Sequence, residues 1–376
     1  MSMVSLPGLR SLLDTMSQQR SLPPLAVQAA LKAALLKGYE RYRRTQVRND
    51  EDFPEDYFEN FAVKLDLKAE GFRVTATKTV VETVVDSDRE IPLDLAIKKG
   101  AKVKVGDRVI VDVTPNQGDF GRLAALQTKT VLTQKLQEQQ CKYIQETFAD
   151  RKGTVLVGKV LKSDGRGVVL GVSGGAGHPL VEAELPKYEK LPNDDYQEGA
   201  EMKVYLKKVF DRPSSKPLLR VSRATSYLVS GLLSDRVPEI RQGLVEVKGV
   251  ARDSIPTKPD IDPRTKIAVH ALDPEVDAVA ACIGKLGEHL QAIAQEIPGE
   301  KIEVIPWSED PATYIANALA PAQIEGAIAL DVENQTAEVS VPPDQLAVAL
   351  GPEDQNLQLA SRLTEWKITL KTLPEP

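Results

Sequence analysis

Two glycines three positions apart, Gly284 and Gly287, bracket Lys285 and Leu286 in the run IGKLGEHLQAIAQEI. Glycines at that spacing let a sugar-phosphate backbone approach the chain closely. The helix pattern that follows offers unpaired N–H groups at its positive end, and Lys285 adds a mobile cation. Ile283, Gly284, Lys285, Leu286, Gly287 and His289 are therefore candidates for a phosphate clamp. Alone, the pattern is equally a plain connector between two helices. A second stretch, LGPEDQNLQLASRL from Leu350 to Leu363, has the same outline with different chemistry. Pro352 removes an N–H donor, and Glu353 and Asp354 bring carboxylates to the place a phosphate would occupy. Asp354 is expected to cap the following helix, a role that contributes about 0.5–2 kcal/mol.

Catalytic chemistry finds little support. His178, His270 and His289 have no Cys, His or carboxylate partners at metal-ligand spacing, and no Walker-type loop, nucleophile elbow or zinc motif appears. The glycines of SGGAG lack a following Lys-Ser or Lys-Thr and read as a hairpin loop. No enzyme, metal or cofactor is expected.

The elements around the two turns repeat. LVEVKGVA and TKIAVHAL read as strands, then come two helical stretches around IGKLG, then the strand KIEVIPW. IEGAIALDV and TAEVSVP precede two helical stretches around LGPED, followed by WKITLKT. Gly284 aligns with Gly351, Leu290 with Leu357 and Gln291 with Gln358. A register shared by different residues indicates a duplicated module. A G-x-x-G turn in a strand–strand–helix–turn–helix–strand frame is the arrangement by which KH modules clamp about four nucleotides of single strand. The segment DSIPTKPDIDPRTK reads as an insertion between the first two strands of the first copy, with no function apparent.

Upstream, residues 1–47 read as helical, with Ser21 as a cap, Pro23 and Pro24 in a first turn, and Leu25, Ala29, Leu31, Leu35, Leu36 and Tyr39 on one stripe. The ending YERYRR suits a helix C-terminus. After the acidic turn NDEDFPED, alternation in FAVKLDL, FRVTATKTVV and KVGDRVIVDVTP marks strands, and a long helix is expected from about residue 120 to 150. Residues 151–224 hold short Val- and Gly-rich strands between turn clusters, the pattern of a small antiparallel barrel.

The 376 residues carry a net charge of −6, but unevenly. Residues 151–224 hold 14 basic and 9 acidic side chains, residues 225–310 hold 9 and 15, and residues 311–376 hold 3 and 9. The basic segment fits a surface that tracks an RNA backbone, with Lys159, Lys162, Arg166, Lys207, Arg220 and Arg223 as candidates. Solvated surface cations are the other reading of each. Its aromatics, Tyr188, Tyr196, Tyr205 and Phe210, are few, so weak and unselective base stacking is expected. Two distant cysteines, no long apolar run and no secretory pattern at the N-terminus lead to a cytoplasmic, membrane-free expectation.

Much of the chain resembles the NusA family of bacterial transcription elongation factors. The resemblance rests on VTPNQGDFGRLAALQTKTVLTQKL, LLRVSRATSYLVSGLLSDRVPEI, TKIAVHALDPEVDAVAACIGKLG, GEKIEVIPWSEDPATYIANALAPA and PPDQLAVALGPEDQNLQLASRLTEWKI. Before residue 100 it is confined to LPPLAVQAALKAALLKGYERYRR and TATKTVVETV. It implies a multidomain α+β chain: an N-terminal α/β domain over 1–125 that binds RNA polymerase and ends in the long helix, an OB-fold barrel of the ribosomal S-one type over 151–224, and two tandem prokaryotic-type KH domains over 225–310 and 311–376. The implied partners are core RNA polymerase, nascent single-stranded RNA and further elongation or antitermination factors, for a monomeric protein modulating pausing, termination and antitermination. The acidic C-terminal repeats found in some family members are not expected here. Family members usually carry arginine where His289 stands, and an imidazole there makes phosphate attraction weaker and pH-sensitive. Relative to the family's second turn, the lysine, the second glycine and a helical arginine at Gln358 are missing, so the turn Gly351, Pro352, Glu353, Asp354 is expected to be degenerate. A chaperone in translation or ribosome assembly, or an accessory subunit of an RNA-degrading enzyme, uses similar modules and stays open on the residues alone.

Overall fold

The computed structural model describes residues 3–46, 57–98, 102–116, 118, 120, 122–165, 167–214, 216–258, 260–324 and 327–372. They form two compact units. The first holds the chain up to Thr147 together with Gly177–Pro179 and Phe210–Lys216, and the second holds the rest. The expected acidic turn at 49–56 lies outside the described residues.

The first unit is a sheet centred on β3 (Gly71–Val81). β1 (Val4–Ser5), β2 (Phe61–Asp66) and β5 (Arg108–Asp112) run antiparallel to it, and β4 (Glu90–Pro92) runs parallel. Helices α1 (Leu9–Arg20) and α2 (Pro24–Gln46) cover one face, and α3 (Leu93–Lys98) closes a small satellite core with Val80 and Ile91. The long helix α4 (Arg122–Phe148) has 27 residues, about 40 Å at 1.5 Å each.

Two sequence expectations are corrected here. Leu25 is 77% exposed, and the buried stripe of α2 runs through Val27, Ala30, Leu31, Ala34, Leu35 and Tyr39. Ser21 does not open α2. It closes α1 in the left-handed region at φ 51°, its N–H reaching the Gln18 and Ser17 carbonyls. The cations at the end of α2 have work beyond the helix dipole: Arg43 grips both oxygens of Asp88 at 2.7 and 2.6 Å, and the Tyr57 hydroxyl donates to the same carboxylate.

In the second unit, β6 (Val155–Asp164), β7 (Gly167–Ser173), β8 (Leu180–Pro186), β9 (Glu201–Val209) and β10 (Leu219–Ser222) close a barrel in the order β10-β8-β7-β6-β9, with β10 parallel to β8. Alternation fills it: Met202, Val204 and Leu206 point in from β9, and Val168, Leu170 and Val172 from β7. This is an OB-like barrel. After it come α5 (Ser226–Arg236) and α6 (Pro238–Arg241). The first repeat then comprises β11 (Val245–Asp253), β12 (Arg264–Ala271), α7 (Ala278–Ile283), α8 (Glu288–Glu296) and β13 (Lys301–Pro306). Following α9 (Pro311–Ala318), the second repeat comprises β14 (Ile328–Asp331), β15 (Thr336–Val341), α10 (Pro343–Leu350), α11 (Gln355–Thr364) and β16 (Lys367–Thr372). Each sheet has one antiparallel and one parallel pairing, β11-β12-β13 and β14-β15-β16.

Buried charge joins these parts. Arg223, at the barrel's exit, makes a forked contact to Asp194 (2.7 and 2.5 Å) and donates to the carbonyls of Lys203 (2.7 Å) and Glu296 (2.6 Å). Arg252, on β11, is forked to Glu300 (2.8 and 2.7 Å) and donates to the carbonyls of Arg223 and Thr225. Lys266, wholly buried, meets Glu303 at 2.8 Å and the Ala320 carbonyl at 2.5 Å, joining the first repeat to the segment before the second.

Two outcomes follow. Arg252→Ala leaves the buried Glu300 carboxylate unpaired and should cost about 3–5 kcal/mol in urea unfolding, whereas the double change Arg252→Met, Glu300→Leu should recover most of it. In the first unit, burial raises the Asp88 pKa, but the hydrogen bonds from Arg43 and Tyr57 outweigh that and hold it below its usual value. A lowered folded pKa gives stability that is present above the unfolded value of about 3.9 and is lost as pH falls through the folded one. Asp88→Asn should therefore destabilise the first unit at pH 7 and flatten its loss of stability below about pH 4, read by thermal melting across pH.

Candidate nucleic-acid interface

Helix α7 starts on Asp277, whose carboxylate accepts from the N–H groups of Val279 and Ala280, both at 3.0 Å. It ends at Gly284 (φ 78°, ψ 170°); Leu286 (φ 56°, ψ 24°) and Gly287 (φ 79°, ψ 14°) then carry the chain into α8. A side chain at Gly284 would put its Cβ 2.7 Å from the His289 ring, so the imidazole packs against the glycine itself. His289 Nδ1 lies 3.0 Å from the Ala281 carbonyl, and that contact needs the proton on Nδ1. His289 is thus a strut beneath the turn, its side chain 20% exposed. Lys285 is exposed, and Leu286 is 91% exposed at the tip. Ile283 is half-buried, and the neighbouring Cys282 thiol is pushed up to about 11 by burial, which leaves it unreactive.

The second turn has the same backbone. Gly351 (φ 70°, ψ 178°), Glu353 (φ 48°, ψ 40°) and Asp354 (φ 60°, ψ 16°) superpose position by position on Gly284, Leu286 and Gly287 in dihedral space. Asn356 takes the place of His289: its amide donates to the carbonyls of Ala349 (3.0 Å) and Leu319 (3.1 Å), and its Cβ lies 2.7 Å from where a Gly351 Cβ would sit. The expected cap by Asp354 is absent. Capping requires an extended residue whose side chain folds back on the helix; in the left-handed region the Asp354 carboxylate makes no such bond and stays exposed. Holding Glu353 and Asp354 at positive φ costs on the order of 1 kcal/mol or more each.

The insertion between β11 and β12 reaches this turn. Lys258 Nζ is 2.6 Å from Glu353 Oε1, and the hydrogen bond it donates to Glu353 raises the Lys258 pKa. Gln355, buried at the start of α11, donates to Asp253 Oδ2 (2.9 Å) and to the Asp262 carbonyl (3.1 Å), the two shoulders of the insertion. Lys301 adds an ion pair to Asp262 at 3.0 Å. The second turn holds a segment of the first repeat.

The barrel cations separate. Lys159 and Lys162 are exposed on β6. Lys207 is ion-paired with the buried Glu189, and Arg220 with Glu184 at 3.0 Å. Arg166 lies outside the described residues. Arg223 is 1% exposed and fully engaged within the protein, so it contacts no RNA; a charge count cannot reveal that Asp194 waits for it. The sequence reading also missed Asn356 and Lys258, whose partners lie 37 and 95 positions away in the Leu319 carbonyl and Glu353. Among the described residues no cluster of His, Cys, Asp and Glu is arranged to hold a metal ion, and no helix is long and apolar enough to cross a membrane.

Comparison with known proteins agrees with this architecture. Residues 8–142 match the family model of the NusA N-terminal domain, residues 223–307 that of the NusA-like first KH domain, and residues 311–376 that of the NusA-like second KH domain. The transcription termination/antitermination protein NusA of Halalkalibacterium halodurans is 37% identical over 365 residues, 96% of this chain and 87% of that protein. The same-named protein of Thermus thermophilus is 38% identical over 91% of this chain and 83% of its own length, and that of Bacillus subtilis 35% identical over 96% and 89%.

The strut comparison makes a prediction. His289→Asn should preserve the first turn, because Asn356 does the same work in the second, whereas His289→Ala should leave the Ala281 carbonyl unpaired and loosen the turn. Amide hydrogen exchange over residues 281–290 should rise about tenfold in the alanine variant and stay near the parent rate in the asparagine variant.

Proposed function

The chain belongs to the NusA family of transcription termination/antitermination proteins, and from that membership we propose a division of labour along it. It acts in transcription termination and antitermination. Residues 1–125 dock on core RNA polymerase, and the barrel and first KH module engage nascent single-stranded RNA as it emerges. The protein works in the cytoplasm without catalysing a reaction of its own, by changing how long the polymerase pauses and whether it terminates.

The observation that supports the RNA assignment most directly is the contrast between the two turns. One backbone is built twice, but only Gly284–Gly287 combines it with two glycines and the exposed cation Lys285. There the positive end of α8, a nine-residue helix, faces solvent with no carboxylate in the turn itself. At Gly351–Asp354 the same space holds Glu353 and Asp354, in a segment of negative charge, and Lys258 already answers Glu353. The first turn clamps phosphate; the second has become a contact for the first repeat's insertion.

The test is RNA binding by the whole chain across salt concentrations, together with hairpin-dependent pausing by core polymerase. Lys285→Glu should weaken binding by about tenfold or more and make log affinity less steep against log salt by about 0.7 per lost contact. The double change Pro352→Lys, Asp354→Gly should strengthen binding and steepen the salt dependence. A double variant indistinguishable from the parent would sink the account of the second turn. Absence of binding to core polymerase, with pausing unchanged, would sink the whole reading.

A further inference from the structure

The barrel's few aromatics led to an expectation of poor base stacking, but the fold brings another to it. Tyr205 on β9 sits beside Val155 of β6 and Ser222 of β10 on the outside of the barrel. Tyr227, from the first turn of α5, lies over it with ring centroids 5.5 Å apart and planes 15° from parallel. The helix can come this close because of Gly231, one turn on: a Cβ there would fall 2.3 Å from a Val155 methyl. One further turn along the same helix face, Asp235 holds Lys203 of β9 at 3.1 Å. Three contacts on one face, Tyr227, Gly231 and Asp235, fix the pose of the ring. Yet Tyr227 is 63% exposed and the neighbouring Val157 58%. A ring positioned so firmly and left open on its far face is arranged to receive another flat group.

The surroundings offer cations beside the ring, with Glu201 of β9 opposite Lys159 in the ladder and Asp235 taken up by Lys203. Along β6 the outward positions run Val155, Val157, Lys159, and Lys159 is exposed about 13 Å from Val155 at 3.3 Å per residue. Lys152, exposed, precedes Gly153, which lies against the Tyr205 hydroxyl. An OB-type barrel ordinarily presents its second and third strands to nucleic acid. Here that face carries Glu182 and Glu184 on β8, with Arg220 committed to Glu184, and no aromatic side chain on β7 or β8.

We propose that Tyr227, laid on Tyr205, is a stacking platform for a base of single-stranded RNA whose backbone runs along β6 past Lys159, so that the barrel binds RNA on its β6–β9 face rather than on β7–β8. The inference rests on the RNA-binding reading above. Stacking supplies sequence-tolerant affinity, and Lys159 supplies the salt-dependent part.

The experiment uses the whole chain and a fluorescently labelled, unstructured pyrimidine 12-mer of RNA, with anisotropy followed across salt concentrations. Tyr227→Leu should weaken binding by about 5- to 100-fold with an unchanged salt slope, while Tyr227→Phe and Tyr227→Trp stay within about twofold of the parent. Lys159→Ala should lower the slope by about 0.7. Ultraviolet crosslinks should fall on the peptide containing Tyr227. These readouts separate stacking from mere packing, since leucine fills the space over Tyr205 without a π-face. Parent-like affinity in Tyr227→Leu, with Lys285→Glu still weakened, or crosslinks confined to β7 and β8, would overturn the platform and leave the RNA reading standing. A parent chain that binds no RNA would overturn both.

Discussion

Two guanidinium groups removed from water set how the barrel, the linking helix and the first repeat meet. Arg223 and Arg252 are each about 2% exposed at the side chain. A buried charge of this kind is tolerable only when its partners are complete and well placed. Asp194 and Glu300 neutralise them in forked geometry, and four backbone carbonyls take the remaining donors. Those carbonyls come from β9, the barrel exit, the start of α5 and the end of α8. Satisfying two planar forks therefore fixes the barrel, the linking helix and the first repeat relative to one another. An apolar junction of equal area would hold them together but would allow sliding; the forks admit one register. The exposed turn at the far end of α8 and the tyrosine stack at the start of α5 both inherit their positions from this junction.

The two turns separate what a backbone dictates from what side chains add. In both, the first glycine is pressed by a residue of the following helix, His289 or Asn356, and a positive φ is then required at the second and third positions after it. The first repeat meets the demand with Leu286 and Gly287, the second with Glu353 and Asp354. The strained residues persist because the Asn356 amide, tied to the Ala349 and Leu319 carbonyls inside the protein, holds the turn whatever its outer side chains are. A scaffold held from within is free to change its outer chemistry. That freedom is visible in Lys258 and Gln355, through which the second turn engages protein instead of phosphate.

What the sequence made legible was local or periodic. The two turns, the barrel's alternating strands and the long α4 rest on spacing within about thirty residues, and the duplicated frame on a register that recurs 67 positions later, from Gly284 to Gly351; each is present in the structure. Errors arose where a residue's meaning depends on a distant partner. Arg223 reads as a surface cation until Asp194 and the Glu296 carbonyl are placed beside it. Asp354 satisfies every sequence criterion for a cap and fails on one dihedral, imposed by the fold rather than by its neighbours in the chain. Tyr227 carries no signal at all, because its value lies in lying parallel to a ring 22 positions earlier.

Charge then explains how a chain of net −6 engages a polyanion. At physiological salt the Debye length is about 8 Å, so an exposed lysine acts on its own neighbourhood and is nearly blind to carboxylates two or three such lengths away. Net charge governs encounter with RNA in bulk; local geometry governs what happens on contact. On the proposed reading, binding falls to places where donors or a ring are already in position: the turn that ends in Gly287, packed by His289, and the ring of Tyr227, let close to the barrel by Gly231. Ordering little on contact keeps the entropic cost small, which lets a few contacts suffice.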